Sequence, residues 1–422
     1  MKITVFQSDK GDCLLVESQD ERMLVDGGMG VSYSDHVAPF MGRLREAGKV
    51  LDVVYVSHID DDHIGGVLRM MDDAMAWRVH EFQKANDNPH HKQPDAPQPP
   101  EINAIWHNAF HELVEDNEGE IESLLAASAT ILSASLDEAL VGQGLRMADL
   151  QTSKRQAIQL SKRISDGQLG IPLNPQFEGK LMMVRDRKPI FRLGAADVSV
   201  IGPFSEELDT LRGEWNEWLK ENKKTIRELN EKAIADQKKI GTSELERLVL
   251  PMAKQAQIFG NIKKVTAPNL ASLMLFVKEG QKTLLLTGDG HANHVVAGLE
   301  HIRALDGQGK IHVDVLKVPH HGSEHNMTKE FARDVTADHY VFCGNGFSTN
   351  PEISVVELLF KERMKKAGEF KFSFNSRSTV IQKEDNQKHM KALETKVKDL
   401  QQNSSGRLAT FFSEQSSFEI DL

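Results

Sequence analysis

The sequence predicts an α/β protein of the α+β kind, with a large helical insertion in its middle. Three observations predict it. Apolar runs of strand length recur toward both ends of the chain, between segments with helical spacing. The middle is dominated by two long helical blocks. Three strands far apart in sequence each end in residues that can ligate a metal, as strands of one sheet edge would.

The elements follow in order. Residues 1–28 read as a β-hairpin with a third strand: 2–6, 13–17 and 23–25, with turn chemistry at Gly11-Asp12 and at Asp26-Gly27-Gly28. Asp26, at a strand end, is either an orienter of a metal ligand or an ordinary turn aspartate. Residues 36–48 suit an amphipathic helix. Residues 53–66 read VVYVSHIDDDHIGG: a buried strand, a run of possible ligands, and two glycines that let the chain turn into a helix at 67–71. Residues 86–100 are a Pro-, Gln- and Asn-rich loop, in which the pair His90-His91 reads as chance. A short strand at 102–106 runs into His107. Residues 112–164 are mostly helical, and 188–192 and 198–201 are short strands. Residues 208–259 form a second, highly charged helical block whose Trp and Leu stripe reads as packing. Strands at 271–277 and 282–286 make a hairpin, and a helix follows at 291–305. A buried strand at 313–318 ends in PHHGS. Helices at 327–332 and 351–366, strands at 339–343, 370–374 and 378–382, a polar helix at 388–402 and one or two closing strands at 408–422 complete the chain.

Whole-chain properties narrow the function. The chain has 422 residues, 40% of them hydrophobic, and a net charge of -11. That balance does not suit a protein coated with basic surface for nucleic acid, though a local basic groove remains open, with 185–192 and 361–366 as candidates. Two cysteines, Cys13 and Cys343, imply no disulfide framework and no Cys-based zinc site. No apolar run is long enough for a membrane span, and the start lacks a signal peptide, so a cytoplasmic protein is expected.

The chemistry is concentrated at the three strand ends. In HIDDDH, residues two apart in an extended turn point the same way. His58 and Asp60 therefore converge on one ion, and Asp62 and His63 on another beside it. Such groups at the end of a buried strand need a neutralising partner, which a metal pair provides. The bland alternative is an Asp-rich helix start, but interleaved histidines at this spacing disfavour it. Asp289, in LLLTGDG, is the expected bridging carboxylate, flanked by Gly288 and Gly290. His320 or His321 completes the second ion; only one of an adjacent pair normally points inward. Asp61 is expected to face solvent.

The motifs GDCLLV, HIDDDHIGG, LLLTGDG and LKVPHHGS, in this order, resemble those of the metallo-β-lactamase fold superfamily. Within it they are most similar to the hydrolase domain of ComEC-type competence proteins. The resemblance covers roughly residues 1–70 and 265–350. It implies an αββα sandwich whose halves are 1–78 and 265–422, with 79–264 as the helical insertion. It also implies metal-dependent hydrolysis, by analogy of phosphodiester bonds, with two divalent ions lowering the pKa of a shared water. His58 and Asp60 would hold the first ion, Asp62, His63 and His320 or His321 the second, and Asp62 and Asp289 would be essential to catalysis. Asp60 stands where most of the superfamily has histidine, which shifts preference from zinc toward manganese or magnesium. Many members supply a further histidine to the first ion; His107 is the candidate, against a plain loop histidine. Lys317, Ser323 and Asn345 are the candidates for substrate contact, with His325 an alternative to Asn345 and charge balance an alternative role for Lys317. Asn350-Pro351 replaces the His-Pro pair usual in the competence-type relatives, and those relatives' membrane segments have no counterpart here.

The expected function is a phosphodiesterase or nuclease acting on nucleic acid or nucleotide, of a type associated with bacterial defence. Its helical insertion would shape access or recruit a protein partner. The alternatives are a non-catalytic metal-binding or regulatory module, and hydrolysis of a non-nucleic ester or lactam.

Overall fold

The computed structural model describes residues 1–86, 92–108, 156, 159–161, 163–185, 191–205 and 272–422. The pair His90-His91, the charged block at 208–259 and most of the block at 112–164 lie outside the described residues.

Two sheets face each other. The first has six strands: β1 (Lys2–Phe6), β2 (Leu14–Ser18), β3 (Glu21–Val25), β4 (Val53–Tyr55), β5 (Ile105–Trp106) and the C-terminal β14 (Ser417–Asp421), in the order β14-β1-β2-β3-β4-β5. The second has eight: β6 (Phe191–Leu193), β7 (Ala196–Gly202), β8 (Met274–Glu279), β9 (Lys282–Leu286), β10 (Ile311–Lys317), β11 (Val335–Phe342), β12 (Phe370–Phe374) and β13 (Leu408–Phe412), in unbroken order. Both sheets are mixed. Neighbours from β14 to β3 are antiparallel and β3-β4-β5 parallel. Neighbours from β6 to β9 are antiparallel and those from β9 to β13 parallel. Thus β5, β6 and β7, which fall between residues 79 and 264, pair into the two sheets. The last strand of the chain crosses back to pair with the first.

Side-chain alternation makes three cores from these two sheets. Val5, Leu14, Val16, Met23, Val25 and Tyr55 point inward and meet Val198, Leu275, Val277, Leu284, Leu286 and Val315 of the second sheet. Their neighbours Leu15, Leu24 and Val54 point outward beneath the helices α1 (Ala38–Glu46) and α2 (Asp61–Ala85). On the far side, Phe276, Leu285, Leu316, Tyr340 and Phe372 are covered by α3 (Ala292–His301), α4 (Lys329–Asp334), α5 (Ile353–Met364) and α6 (Glu384–Gln402). The result is the αββα layering expected from the motifs. Among the described residues, no helix is long and apolar enough to cross a membrane.

Three local expectations are corrected. The helix after the HIDDDH run begins at Asp61 and continues through Gly65-Gly66 to Ala85, so the glycines do not make a turn. They permit close approach: a Cβ on Gly66 would collide with the Gly27 carbonyl oxygen, and one on Gly27 with the Val67 amide. Residues 378–380 form a 3-10 turn rather than a strand. The basic run at 361–366 is not an open groove. Arg363 is buried and donates to the carbonyls of Ala337 and Glu369, each at 3.0 Å, while Lys365 pairs with Glu362 at 2.7 Å.

Gly66→Ala is expected to destabilise the fold by about 2–3 kcal/mol, because backbone rather than a flexible side chain must give way. Denaturant unfolding checks this; a change under about 0.5 kcal/mol would contradict the close-approach account.

Candidate metal centre

The site lies beyond the carboxyl ends of β4, β9 and β10, the usual place for a crevice in sheets with parallel strands. Main-chain hydrogen bonds lock the three loops together. The amide of Leu273 donates to the Ser57 carbonyl at 2.8 Å, and that of His320 to the Gly288 carbonyl at 3.1 Å. The Asp26 amide donates to Tyr55 and the Gly27 amide to His63, both at 2.8 Å. The two glycine contacts described above therefore set how near α2, and with it His63, sits to the end of β3.

Ligand atoms of Asp12, His63, Asp289 and His321, all buried, lie within 4.8 Å of one another. Around this cluster the predicted residues fall into two halves joined by Asp289. On one side His58 Nε2 is 3.5 Å from Asp60 and 3.7 Å from Asp289 Oδ2. On the other, His63 Nε2 is 3.4 Å from Asp289 Oδ1, and His321 Nε2 is 3.5 Å from both Asp62 and Asp289. His320 Nε2 approaches Asp289 Oδ2 at 3.4 Å, and its Nδ1 meets Asn326 Oδ1 at 2.7 Å. Both histidines of the pair therefore turn inward, where alternation predicts one. The reason is backbone: His320 and His321 have φ of 45° and 52°, and successive left-handed residues do not alternate as strand residues do.

The imidazoles are fixed from behind. Asp26 is buried at the end of β3 and accepts from the Ser57 amide at 2.7 Å and the Ser57 hydroxyl at 2.8 Å. It also pairs with His63 Nδ1 at 2.9 Å. Because the Ser57 proton goes to Asp26, its oxygen is left to accept from His58 Nδ1 at 3.0 Å. Asp12 plays the same part opposite, meeting His321 Nδ1 at 3.1 Å. With Nδ1 of each ring turned to a carboxylate, the Nε2 atoms of His63 and His321 face each other at 3.3 Å. Among the described residues, the buried Nε2 of His58 and Oδ1 of Asp289 have no hydrogen-bond partner. Imidazole nitrogens and carboxylates that converge with buried polar atoms left unpaired are an arrangement that a cation resolves, so this donor set fits divalent ions.

The electrostatics agree. Burial alone pushes the Asp289 carboxyl up, but the surrounding histidines outweigh it and hold it well below the usual range. Burial likewise raises Asp62 and Asp12, yet His321 and His63 hold Asp62 down, and Lys317 with His321 holds Asp12 down. Burial depresses His63 and His321, and the facing carboxylates reverse this and raise both. His320 stays low, since burial there outweighs Asp289.

Several assignments change. Asp12, read from sequence as a turn residue, is part of the cluster; the signal was its place in GDCLLV. Lys317 is not at a substrate surface. It is 2% exposed, paired with Asp12, and donates to the Gly288 carbonyl at 3.1 Å, so it neutralises the interior. Ser323 is buried, and its hydroxyl accepts from the His325 amide. Asn345 donates to Asp9 and accepts from the Phe347 amide, which shapes its own loop. His107 ends β5, one strand from β4, with its amide and carbonyl held by Asn174 at 2.9 and 2.7 Å; it is outside the four-residue cluster. Asp61 is half-buried and accepts from Gln156 at 2.6 Å rather than facing open solvent.

No curated protein matches the chain by sequence. Among solved structures, unliganded yeast PDE1 is similar at 9% identity with a TM-score of 0.37, covering 100% of this chain and 99% of that one. A likeness so distant carries no argument about activity. Residues 8–120 match the family model described as the metallo-beta-lactamase superfamily, and that span holds His58, Asp60, Asp62 and His63. Over that span the chain is similar to the metallo-beta-lactamase superfamily, and the αββα layering and the buried Asp/His cluster agree with that similarity.

Proposed function

We propose that the protein is a phosphodiesterase or nuclease that uses two divalent cations. The observation that carries this reading is the gathering of donors about Asp289, whose Oδ1 faces His63 and whose Oδ2 faces His58 of the same segment and His320 and His321 of the loop after β10. Divalent ions held there supply Lewis acidity and water activation. The chain's own residues do the rest. His58, Asp60 and His320 present donors to one half, and Asp62, His63 and His321 to the other. Asp26 and Asp12 keep the imidazole tautomers that direct Nε2 inward, and Lys317 offsets part of the buried negative charge. The carboxylates of Asp60, Asp62 and Asp289 beside the four imidazoles make a harder donor set than an all-imidazole zinc site, which shifts the preference toward manganese or magnesium. Phosphodiesters suit such ions, since the charge that develops on the phosphoryl oxygens is what they stabilise.

Purified protein is to be stripped with EDTA and reloaded with Mn²⁺, Zn²⁺ or Mg²⁺. It is then assayed on single- and double-stranded DNA, RNA, cyclic nucleotides, an ester and a lactam. Phosphodiester cleavage that is lost with EDTA and restored by metal is the expected result. Metal occupancy should fall on acidification, because protons compete with the ions for the raised imidazoles of His63 and His321. Turnover of the ester or lactam alone would replace the phosphodiesterase reading. Less than one bound ion per chain would point to a regulatory module.

A further inference from the structure

Asn326, the last residue of the 3-10 turn Glu324–Asn326, is fully buried and touches two loops of the metal centre at once. Its Nδ2 donates to the main-chain carbonyl of Asp289 at 2.7 Å, and its Oδ1 meets Nδ1 of His320 at 2.7 Å. Its own amide donates to the Ser323 carbonyl at 3.2 Å, which closes the turn on which it stands. A buried amide with both of its ends engaged, one in each loop, clamps the loop after β9 to the loop after β10.

These contacts place a proton. A carbonyl can only accept, so the end of Asn326 that faces Asp289 is its NH2 group, and the end that faces His320 is its oxygen. Two acceptors do not meet at hydrogen-bond distance, so His320 Nδ1 carries a hydrogen. The nitrogen left for an ion is then Nε2, and Nε2 is the atom 3.4 Å from Asp289 Oδ2. The backbone needs the same clamp. His320 and His321 have φ of 45° and 52°, a conformation that non-glycine residues hold only when their surroundings enforce it. The Gly288 carbonyl anchors the His320 amide at 3.1 Å, and Asn326 anchors the ring.

The group behind His320 differs from those on the other side of the centre. Nδ1 of His63 meets the Asp26 carboxylate at 2.9 Å, and Nδ1 of His321 meets the Asp12 carboxylate at 3.1 Å. Nδ1 of His320 meets a neutral amide. A carboxylate in that place strengthens an imidazole as a ligand, whereas an amide orients it and adds no charge.

We infer that Asn326 is a positioning residue of the metal centre: it imposes the Nδ1–H form on His320 and ties that ring to the Asp289 main chain, so that His320 serves as a ligand to the ion on the His58–Asp60 side. The inference rests on the two-cation part of the phosphodiesterase reading, and its readouts need no substrate.

The probe is Mn²⁺ alone, titrated into the EDTA-stripped full chain and followed by electron paramagnetic resonance. The parent should bind two ions, and Asn326→Ala should weaken one of them about tenfold or more. Asp62→Ala is expected to keep only the ion on the His58–Asp60 side. Adding Asn326→Ala to it should weaken that remaining ion, which assigns the effect. Asn326→Asp keeps an acceptor behind His320 but gives up the donor to Asp289. It should bind this ion at least as tightly as the parent, a rescue that a merely structural role does not give. Nitrogen-15 histidine spectra of the Zn²⁺-loaded parent, which need no variant to fold, should show the His320 hydrogen on Nδ1. Parent affinity for both ions in Asn326→Ala would overturn the inference. So would an Asp variant that binds as weakly as the Ala variant, or a His320 hydrogen on Nε2. Asn326-dependent binding of two ions in a protein that cleaves no phosphodiester would uphold the inference and end that reading of the substrate; phosphodiester cleavage with Asn326-independent binding would do the reverse.

Discussion

Asp289→Ala is expected to abolish metal-dependent turnover and to remove more than one ion's worth of binding. Among the described residues, Asp289 stands between the halves: Oδ1 faces His63, and Oδ2 faces His58, His320 and His321. Removing it separates the halves and leaves four imidazoles without their common counter-charge. A bound divalent ion contributes several kcal/mol of transition-state stabilisation, and each 1.4 kcal/mol is tenfold, so the loss should be on the order of 10³-fold or more. The fold should survive, because Asp289, though buried, lies beyond the strand ends and outside all three apolar cores. The measurements are metal content per chain after dialysis, turnover in excess Mn²⁺, and circular dichroism. Two ions still bound with full turnover would show that the cluster is not the hydrolytic centre. Asp62→Ala, by contrast, touches only the half that contains His321, and should leave one ion in place.

Lys317→Met should produce the largest change in stability, roughly 3–5 kcal/mol in the EDTA-treated protein. The lysine is enclosed at the end of β10. Burial pushes its pKa down, yet Asp12 and Asp289 outweigh this and raise it, so it is charged throughout the working range. Methionine fits the volume but takes away the strongest counter-charge of the buried Asp12 carboxylate, leaving it the imidazoles of His321 and His63 beside the carboxylate of Asp289. Unfolding by urea with EDTA present keeps metal linkage out of the comparison. The double variant Asp12→Asn/Lys317→Met should recover a large part of the loss, since it removes the stranded charge. It should still bind metal about 10–100-fold more weakly, because His321 loses the partner that orients it. If the single variant were as stable as the parent, the pair would not be a buried ion pair, and Lys317 would be free for substrate after all.

The two predictions draw on different parts of the record. Asp289 is legible in the sequence, because a buried strand that ends in Thr-Gly-Asp-Gly places a carboxylate where the backbone can come close. The same holds for His58, Asp60, Asp62 and His63. Their spacing at the end of a β-branched run is local information, and local geometry turns it into shared direction. The layering was legible for the same reason: period-two alternation in β1 to β4 and in β8 to β10 states which side chains face the other sheet.

Asp12 and Lys317 were not legible in this way. In the sequence one is a turn aspartate and the other a strand lysine, and nothing local says that they meet. Their pairing follows from β2 and β10 being brought face to face across the inter-sheet core. The inward turn of both His320 and His321 was also hidden, because two successive left-handed residues break the alternation that sequence reading relies on. Gly65-Gly66 misled for a related reason. Glycine signals backbone freedom, and whether that freedom serves a turn or a close helix-to-strand contact is decided by what lies on the other side, here Gly27. What the sequence by itself determined is the set of donors and the strand ends that carry them, because ligand chemistry and side-chain periodicity are properties of short segments. What only the tertiary structure decided is which donor orients which and which charge is neutralised inside, because those depend on contacts between segments hundreds of residues apart.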